Sequence, residues 1–141
     1  MSERHFYEPR NGHGLPHDPF KAIVAPRPIG WISSIDAEGR VNLAPYSFFN
    51  AFCGAPPLLG FASGGRKNSH CNAEVTGEFV VNLATRGHAE ALNLTSAPLP
   101  PGASEFEAAG LAAAPSRLVR PPRVADAPAA LECKAVLILP L

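Results

Sequence analysis

Apolar and polar positions alternate most clearly in two places. In PRPIGWISSIDAEGR, Ile29, Trp31, Ser33 and Ile35 fall on one face and Gly30, Ile32 and Ser34 on the other, which predicts a strand. Asp36-Ala37-Glu38-Gly39 reads as a turn closing on glycine. VNLAP resumes the alternation, so residues 29–44 form a hairpin whose second strand stops at Pro45. EFVVNLAT is the second clear strand, with Phe79, Val81 and Leu83 on one face. LLGFAS predicts a short buried strand closed by Gly64-Gly65, and LECKAVLILPL predicts the last strand. SFFNAFCGAPP, between Pro45 and that buried strand, reads as an aromatic-rich connection.

Helical patterns are short. Asn68 or Ser69 can cap a helix that runs to Val75 and is ended by Gly77. Thr85 can cap the next, with Ala89, Leu92 and Leu94 as its apolar side. Ser104 and Glu107 have capping-box spacing for a helix over EFEAAGLAAA that buries Phe106 and Leu111. Pro115, Pro121, Pro122 and Pro128 make the following segment irregular. Residues 1–19 are polar, carry Pro9, Pro16 and Pro19, and read as an N-terminal arm; residues 20–141 form one domain.

Composition narrows the class. Sixteen prolines and 12 glycines exclude a helical bundle and favour short strands joined by turns. Twelve basic side chains balance 12 acidic ones, which argues against nucleic acid as the main partner. No apolar run reaches the length of a membrane span, and the polar start lacks a signal-peptide core. Cys53, Cys71 and Cys133 have no paired spacing, which fits a reducing, cytoplasmic setting and no metal knuckle. His13 and His17 are separated by Pro16, so no helix presents them together.

Two segments carry chemistry. GGRKNSHCN follows an apolar strand and opens a helix, supplying flexible glycines, the cations Arg66 and Lys67, the small polar Asn68 and Ser69, and a helix N-terminus. Those are the parts of a phosphate cradle; the plainer alternative is a polar turn before a capped helix. YSFFN brackets Phe48 and Phe49 with Ser47 and Asn50, a loop able to hold a flat heteroaromatic ligand or simply to bury a phenylalanine. No GxSxG elbow, HExxH motif or paired-carboxylate pattern is present, so an enzyme of this sequence would rely on a bound cofactor.

Taken in order, APRPIGWISSIDAEGRVNLAPYSFFNAF and GGRKNSHCNAEVTGEFVVNLAT resemble the flavin reductase-like, FMN-binding split-barrel family related to flavoredoxin, from Phe20 to Leu141. The resemblance implies a mainly β fold with short helices, a six-stranded antiparallel Greek-key split barrel. It implies an FMN-binding oxidoreductase that takes hydride from NAD(P)H and reduces flavin or a small acceptor. A homodimer, and a partner oxygenase in some relatives, are implied as well. Carried over, Arg66, Lys67, Asn68 and Ser69 correspond to the phosphate segment. Ser47, Phe48, Phe49 and Asn50 correspond to the lining of the ribityl chain and isoalloxazine, and Trp31, Ile32 and Ser33 to the strand facing the flavin. Asn68-Ser69 stand where relatives often have Asp-Thr. The resemblance also implies one or two closing strands beyond Leu141. A non-catalytic flavin or electron carrier, and a barrel without cofactor or with another aromatic ligand such as haem, are the alternatives.

Overall fold

The computed structural model describes residues 4–100 and 102–140. The first three residues of the expected arm, Pro101 and Leu141 lie outside the described residues. The fold is mainly β with short helices.

Strand β1 (Gly30–Ile35) pairs antiparallel with β2 (Val41–Tyr46), with Gly30 opposite Tyr46 and Ile35 opposite Val41. The turn between them is held by Asp36. Its Oδ1 accepts from Glu38 N and Arg40 N, and Arg40 Nε donates to Oδ2 at 2.6 Å. The Arg40 guanidinium is the chief reason the Asp36 carboxyl sits below its ordinary range. Pro45 does not end β2 as expected: it lies within the strand, opposite Trp31. The sheet order β2-β1-β5-β8 explains why, since β2 is an edge and can spare an N–H. Strand β5 here is Glu78–Asn82 and β8 is Ala130–Lys134, paired antiparallel with Glu78 opposite Lys134. The last strand is therefore shorter than LECKAVLILPL. Among the described residues past Lys134, Ala135 N reaches back to Gly77 O at 2.8 Å, one residue before β5 begins.

The aromatic-rich connection is not a loop. Phe49–Gly54 is β3, hairpinned onto β4 (Pro57–Phe61) with a register shift between Ala51 and Cys53. Nor is β4 fully buried: Leu59 and Phe61 turn inward against the core while Pro57 and Leu58 stay exposed. Helix α1 (Pro19–Ile23) begins at Asp18, whose Oδ1 accepts from Phe20 N. Helix α2 (Asn68–Thr76) ends at Gly77, left-handed at φ 70°. Its N-cap position is Lys67, not Asn68 or Ser69, and no side chain caps it. Thr85 and His88 make a reciprocal capping box before α3 (Ala89–Leu94), where Ala91 and Leu92 pack inward and Leu94 stays exposed. Ser104 accepts from Glu107 N at the head of α4 (Glu105–Ala108), which stops before the expected Ala-rich turn. The short ribbon β6 (Ala113–Ala114) and β7 (Arg123–Val124) crosses the Pro-rich segment.

β1 is buried on both faces. On one, Ile32 packs with Tyr46, Ala73, Phe79 and Val81; on the other, Trp31 packs with Leu43, Phe106 and Val124. Its two serines are sealed in with it and must find partners. Ser34 Oγ accepts from Asn72 Nδ2 of α2 at 3.1 Å. Ser33 Oγ donates to Pro122 O and accepts from Asn82 Nδ2 at 3.2 Å. Fully buried Asn82 also donates to Trp31 O at 3.1 Å, and its Oδ1 accepts from Val124 N at 2.8 Å. Trp31 Nε1 donates to Thr95 Oγ1 at 2.9 Å.

Carboxylates on β5 and β8 fix the irregular segment after β6. Glu132 accepts from Arg117 N at 2.9 Å and from Leu118 N, and Glu78 accepts from Arg120 N at 3.0 Å. The N–H of Arg117, then that of Leu118, hold the Glu132 carboxyl below its ordinary range.

Two outcomes follow from these ties. Asn82→Ala leaves the Val124 N–H of β7 and the Trp31 O and Ser33 Oγ of β1 without this partner and should cost about 3 kcal/mol in urea unfolding. Glu132, with its folded pKa below the unfolded one, stabilises the fold above the ordinary glutamate range and loses that contribution as pH falls through the folded value. Thermal melts of Glu132→Gln should accordingly lie below wild type at neutral pH and converge with it in acid.

Candidate functional site

Two chain segments meet beside the exit of β2. Residues 47–50 leave β2 and enter β3, with Ser47 and Phe48 forming a bend. The chain leaving β4 runs alongside, Ala62 N donating to Phe48 O at 2.8 Å. It then turns through Gly64 and Gly65, the latter at φ 88°, where only glycine is comfortable. Ser63 Oγ donates to Gly65 O at 2.8 Å and Lys67 N donates to the same carbonyl at 3.1 Å, which shapes the loop that delivers α2.

The start of α2 is held against the sheet by side chains. Ser69, 1% exposed, shares a 2.9 Å hydrogen bond with Asn42 of β2, and Asn72 ties the next turn to β1. The first-turn amides have no intrahelical acceptor. No side-chain cap and no acidic residue stands there to satisfy them. Arg66, Lys67 and Asn68 are exposed at this end. The geometry is that of an anion cradle: free amides, the positive end of a nine-residue helix and adjacent cations.

The expected site residues divide into three groups. Phe48, Asn50, Arg66, Lys67 and Asn68 are exposed and Ser47 is half-buried. Phe49 and Ser69 are occupied: Phe49 packs on the core with its ring against Gly30, and the Ser69 hydroxyl belongs to Asn42. Trp31, Ile32 and Ser33 are at zero exposure, given over to the two cores and to the bonds with Thr95, Pro122 and Asn82. β1 is covered on both faces, so these side chains are enclosed by the protein.

Arg66 carries a further correction. It reaches along α2 to Glu74, Nη2 to Oε2 at 2.6 Å, and that carboxylate raises its pKa. Lys67 makes no ion pair among the described residues. Asn50 folds back, its Oδ1 accepting from Ala51 N at 2.9 Å. Two residues missed by the sequence reading join the site: Phe20 of α1 stacks on Phe48 at 6.4 Å between centroids, and the Arg27 guanidinium lies 5.3 Å from the same ring. The turn of helix in FKAIVAP, which would have brought Phe20 round, carried no periodic signal. Among the described residues no group of His, Cys, Asp and Glu could hold a metal ion. Burial pushes the Cys133 thiol up to about 11, so it is no nucleophile near neutrality.

The profile of the "Flavin reductase like domain" family matches residues 24–140. The chain belongs to this family. A curated relative from Halalkalibacterium halodurans is 40% identical over 123 residues, covering 84% of this chain and 59% of its own length. Nitrilotriacetate monooxygenase component B from Bacillus cereus superposes with a TM-score of 0.87 at 33% identity, covering 100% of this chain and 72% of that one. The 2-nitrobenzoate 2-nitroreductase NbaA of Pseudomonas fluorescens gives 0.73 at 40% identity, over 79% and 54%. The split-barrel class expected from the sequence is thereby shown, with no closed barrel among the described strands. The chain spans 59% to 64% of the length of the first curated relatives it matches.

In this flavin reductase-like chain the position of Phe49 depends on Gly30. A Cβ there would lie 2.6 Å from the Phe49 ring, at its base. Gly30→Ala should therefore displace the ring and cost about 1–3 kcal/mol in urea unfolding, the usual penalty for overpacking, with altered aromatic near-ultraviolet dichroism.

Proposed function

We propose that this chain binds FMN at the cradle described above and serves an oxidoreductase that draws hydride from NAD(P)H to reduce flavin or a small acceptor. The observation that carries the reading is the uncapped N-terminus of α2, flanked by Lys67 and Arg66, on the chain segment that Ala62 N ties to Phe48 O. An FMN phosphate is close to a dianion at neutral pH. It would take the first-turn amides and Lys67 directly, and Arg66 after that side chain exchanges Glu74 for it. Phe48 gives a flat apolar wall for the isoalloxazine, and Ser47 and Asn50 give polar edges for the ribityl chain.

Bound FMN would supply the hydride chemistry. The protein's work is then to grip the phosphate, orient the ring and keep water off one face, and no side-chain acid or base is called for. This agrees with the absence of catalytic motifs from the sequence.

The reading extends to assembly. The outer face of the β3–β4 hairpin exposes Phe52 (74%) and Leu58, a surface suited to a second copy of the chain. The chain exposes 9838 Å² in all, against about 7,000 Å² for a compact monomer of its mass. A homodimer in the cytoplasm, delivering electrons to a partner oxygenase, is the arrangement we infer. Its nearest support is the likeness to a monooxygenase component B.

Purified protein titrated with FMN should quench flavin fluorescence, and anaerobic NADH or NADPH should then bleach the visible flavin band. A protein that takes up no FMN overturns the reading; one that binds FMN but is never bleached is a carrier. Arg66→Ala with Lys67→Ala should weaken FMN by about tenfold or more, given the strength of charge-assisted hydrogen bonds. Glu74→Gln should tighten it, since Arg66 is then free at the outset.

A further inference from the structure

Phe48 meets two groups from the N-terminal side of the molecule. Phe20 stacks on it at an interplanar angle of 23°, and the guanidinium of Arg27 lies over its ring. Arg27 is anchored at one corner only: Nη1 donates to Lys21 O at 2.8 Å and to Val24 O, capping the C-terminus of α1. Its Nε–H is buried with no acceptor, and it is the single buried side-chain nitrogen or oxygen so left among the described residues. Buried donors are almost always satisfied, and an orphan marks a place where an acceptor belongs. Nε–H and Nη2 together form the side edge of a guanidinium, the edge that grips a carboxylate with two parallel hydrogen bonds. On its other side Phe20 lines an open cavity of about 420 Å³, shared with Tyr7, Pro9, His13 and Asp18.

We propose that the notch between α1 and the Ser47–Asn50 bend is a second binding site, for a flat aromatic carboxylate. The ligand's ring lies against Phe48 in the place Phe20 now takes, Phe20 swings into the cavity it already lines, and the carboxylate accepts from the Nε–Nη2 edge of Arg27. Arg27 thus selects for a negative charge and the pair of phenylalanines for a planar ring. The site's meaning for turnover rests on the FMN reading, because it sets a second flat reactant beside the same Phe48; the binding itself does not.

Calorimetric titration of the whole chain with benzoate tests this, alongside cyclohexanecarboxylate and benzyl alcohol, which each lack one recognised feature. Benzoate should bind at least tenfold more tightly than either. Arg27→Met should remove the difference between benzoate and benzyl alcohol. Arg27→Lys, which keeps a cation able to cap α1 but has no Nε–H, should still fold by far-ultraviolet dichroism and should lose about tenfold for benzoate. Benzoate that binds no better than cyclohexanecarboxylate, or equally well to Arg27→Lys, overturns the site and leaves the orphan N–H to a water. Benzoate binding without FMN binding sinks the proposed function and leaves this site standing; FMN binding without benzoate binding does the reverse.

Discussion

β1 has no free face, and the rest of the molecule is arranged around that fact. A strand covered on both sides reads best as an unbroken apolar run, yet this one carries Ser33 and Ser34 at zero exposure. Each hydroxyl forces a partner into place. Ser34 fixes Asn72 and with it the pitch of α2, while Ser33 draws in Asn82 and the Pro122 carbonyl. A buried polar network of this kind specifies one arrangement because any slip leaves a donor or acceptor without a mate. The placement of the α2 N-terminus against the start of β2 is a by-product of these bonds and of the Asn42–Ser69 contact.

The site that results is electrostatically self-contained. Arg66 arrives with Glu74 as its counter-ion and Arg27 with the carbonyls of α1, so neither cation stands bare in the protein as it is. Lys67 is the exception. An anion entering here therefore competes with internal partners at one cation and not at the other, which sets a ladder of contact strengths along the loop. The balanced formal charge of the whole chain leaves little long-range field, so recognition depends on these short-range exchanges.

Much of this was legible in the sequence where local rules act alone. The 29–35 and 78–82 strands, the Asp36–Gly39 turn, the Thr85 and Ser104 caps and the stop at Gly77 all follow from periodicity and cap chemistry. Pro45 misled because proline is a strand-breaker only where its N–H is needed, and edge position is a property of the sheet, invisible in the strand. Phe49–Gly54 was hidden because its alternation is interrupted at the register shift between Ala51 and Cys53. At the site, the exposed members were readable as residue types next to glycines. The burial of Trp31, Ile32 and Ser33 was not, since it depends on α3, α4 and β7 closing one face and α2 the other. The roles of Phe20 and Arg27 come from a tertiary stack that no spacing encodes.

The partners of β1 are remote along the chain: 64 residues separate Trp31 from Thr95, and 89 separate Ser33 from Pro122. A strand made early on the ribosome thus waits for Thr95 and Pro122 to emerge before its buried polar groups are matched. Such long-range closure is slow, and in the interval β1 and β2 form a hairpin with a Trp, an Ile and two serines facing solvent. The docking of the Pro-rich segment after β6 is then what matches Ser33, so the proline-heavy stretch that looks least structured seals the inside of the sheet.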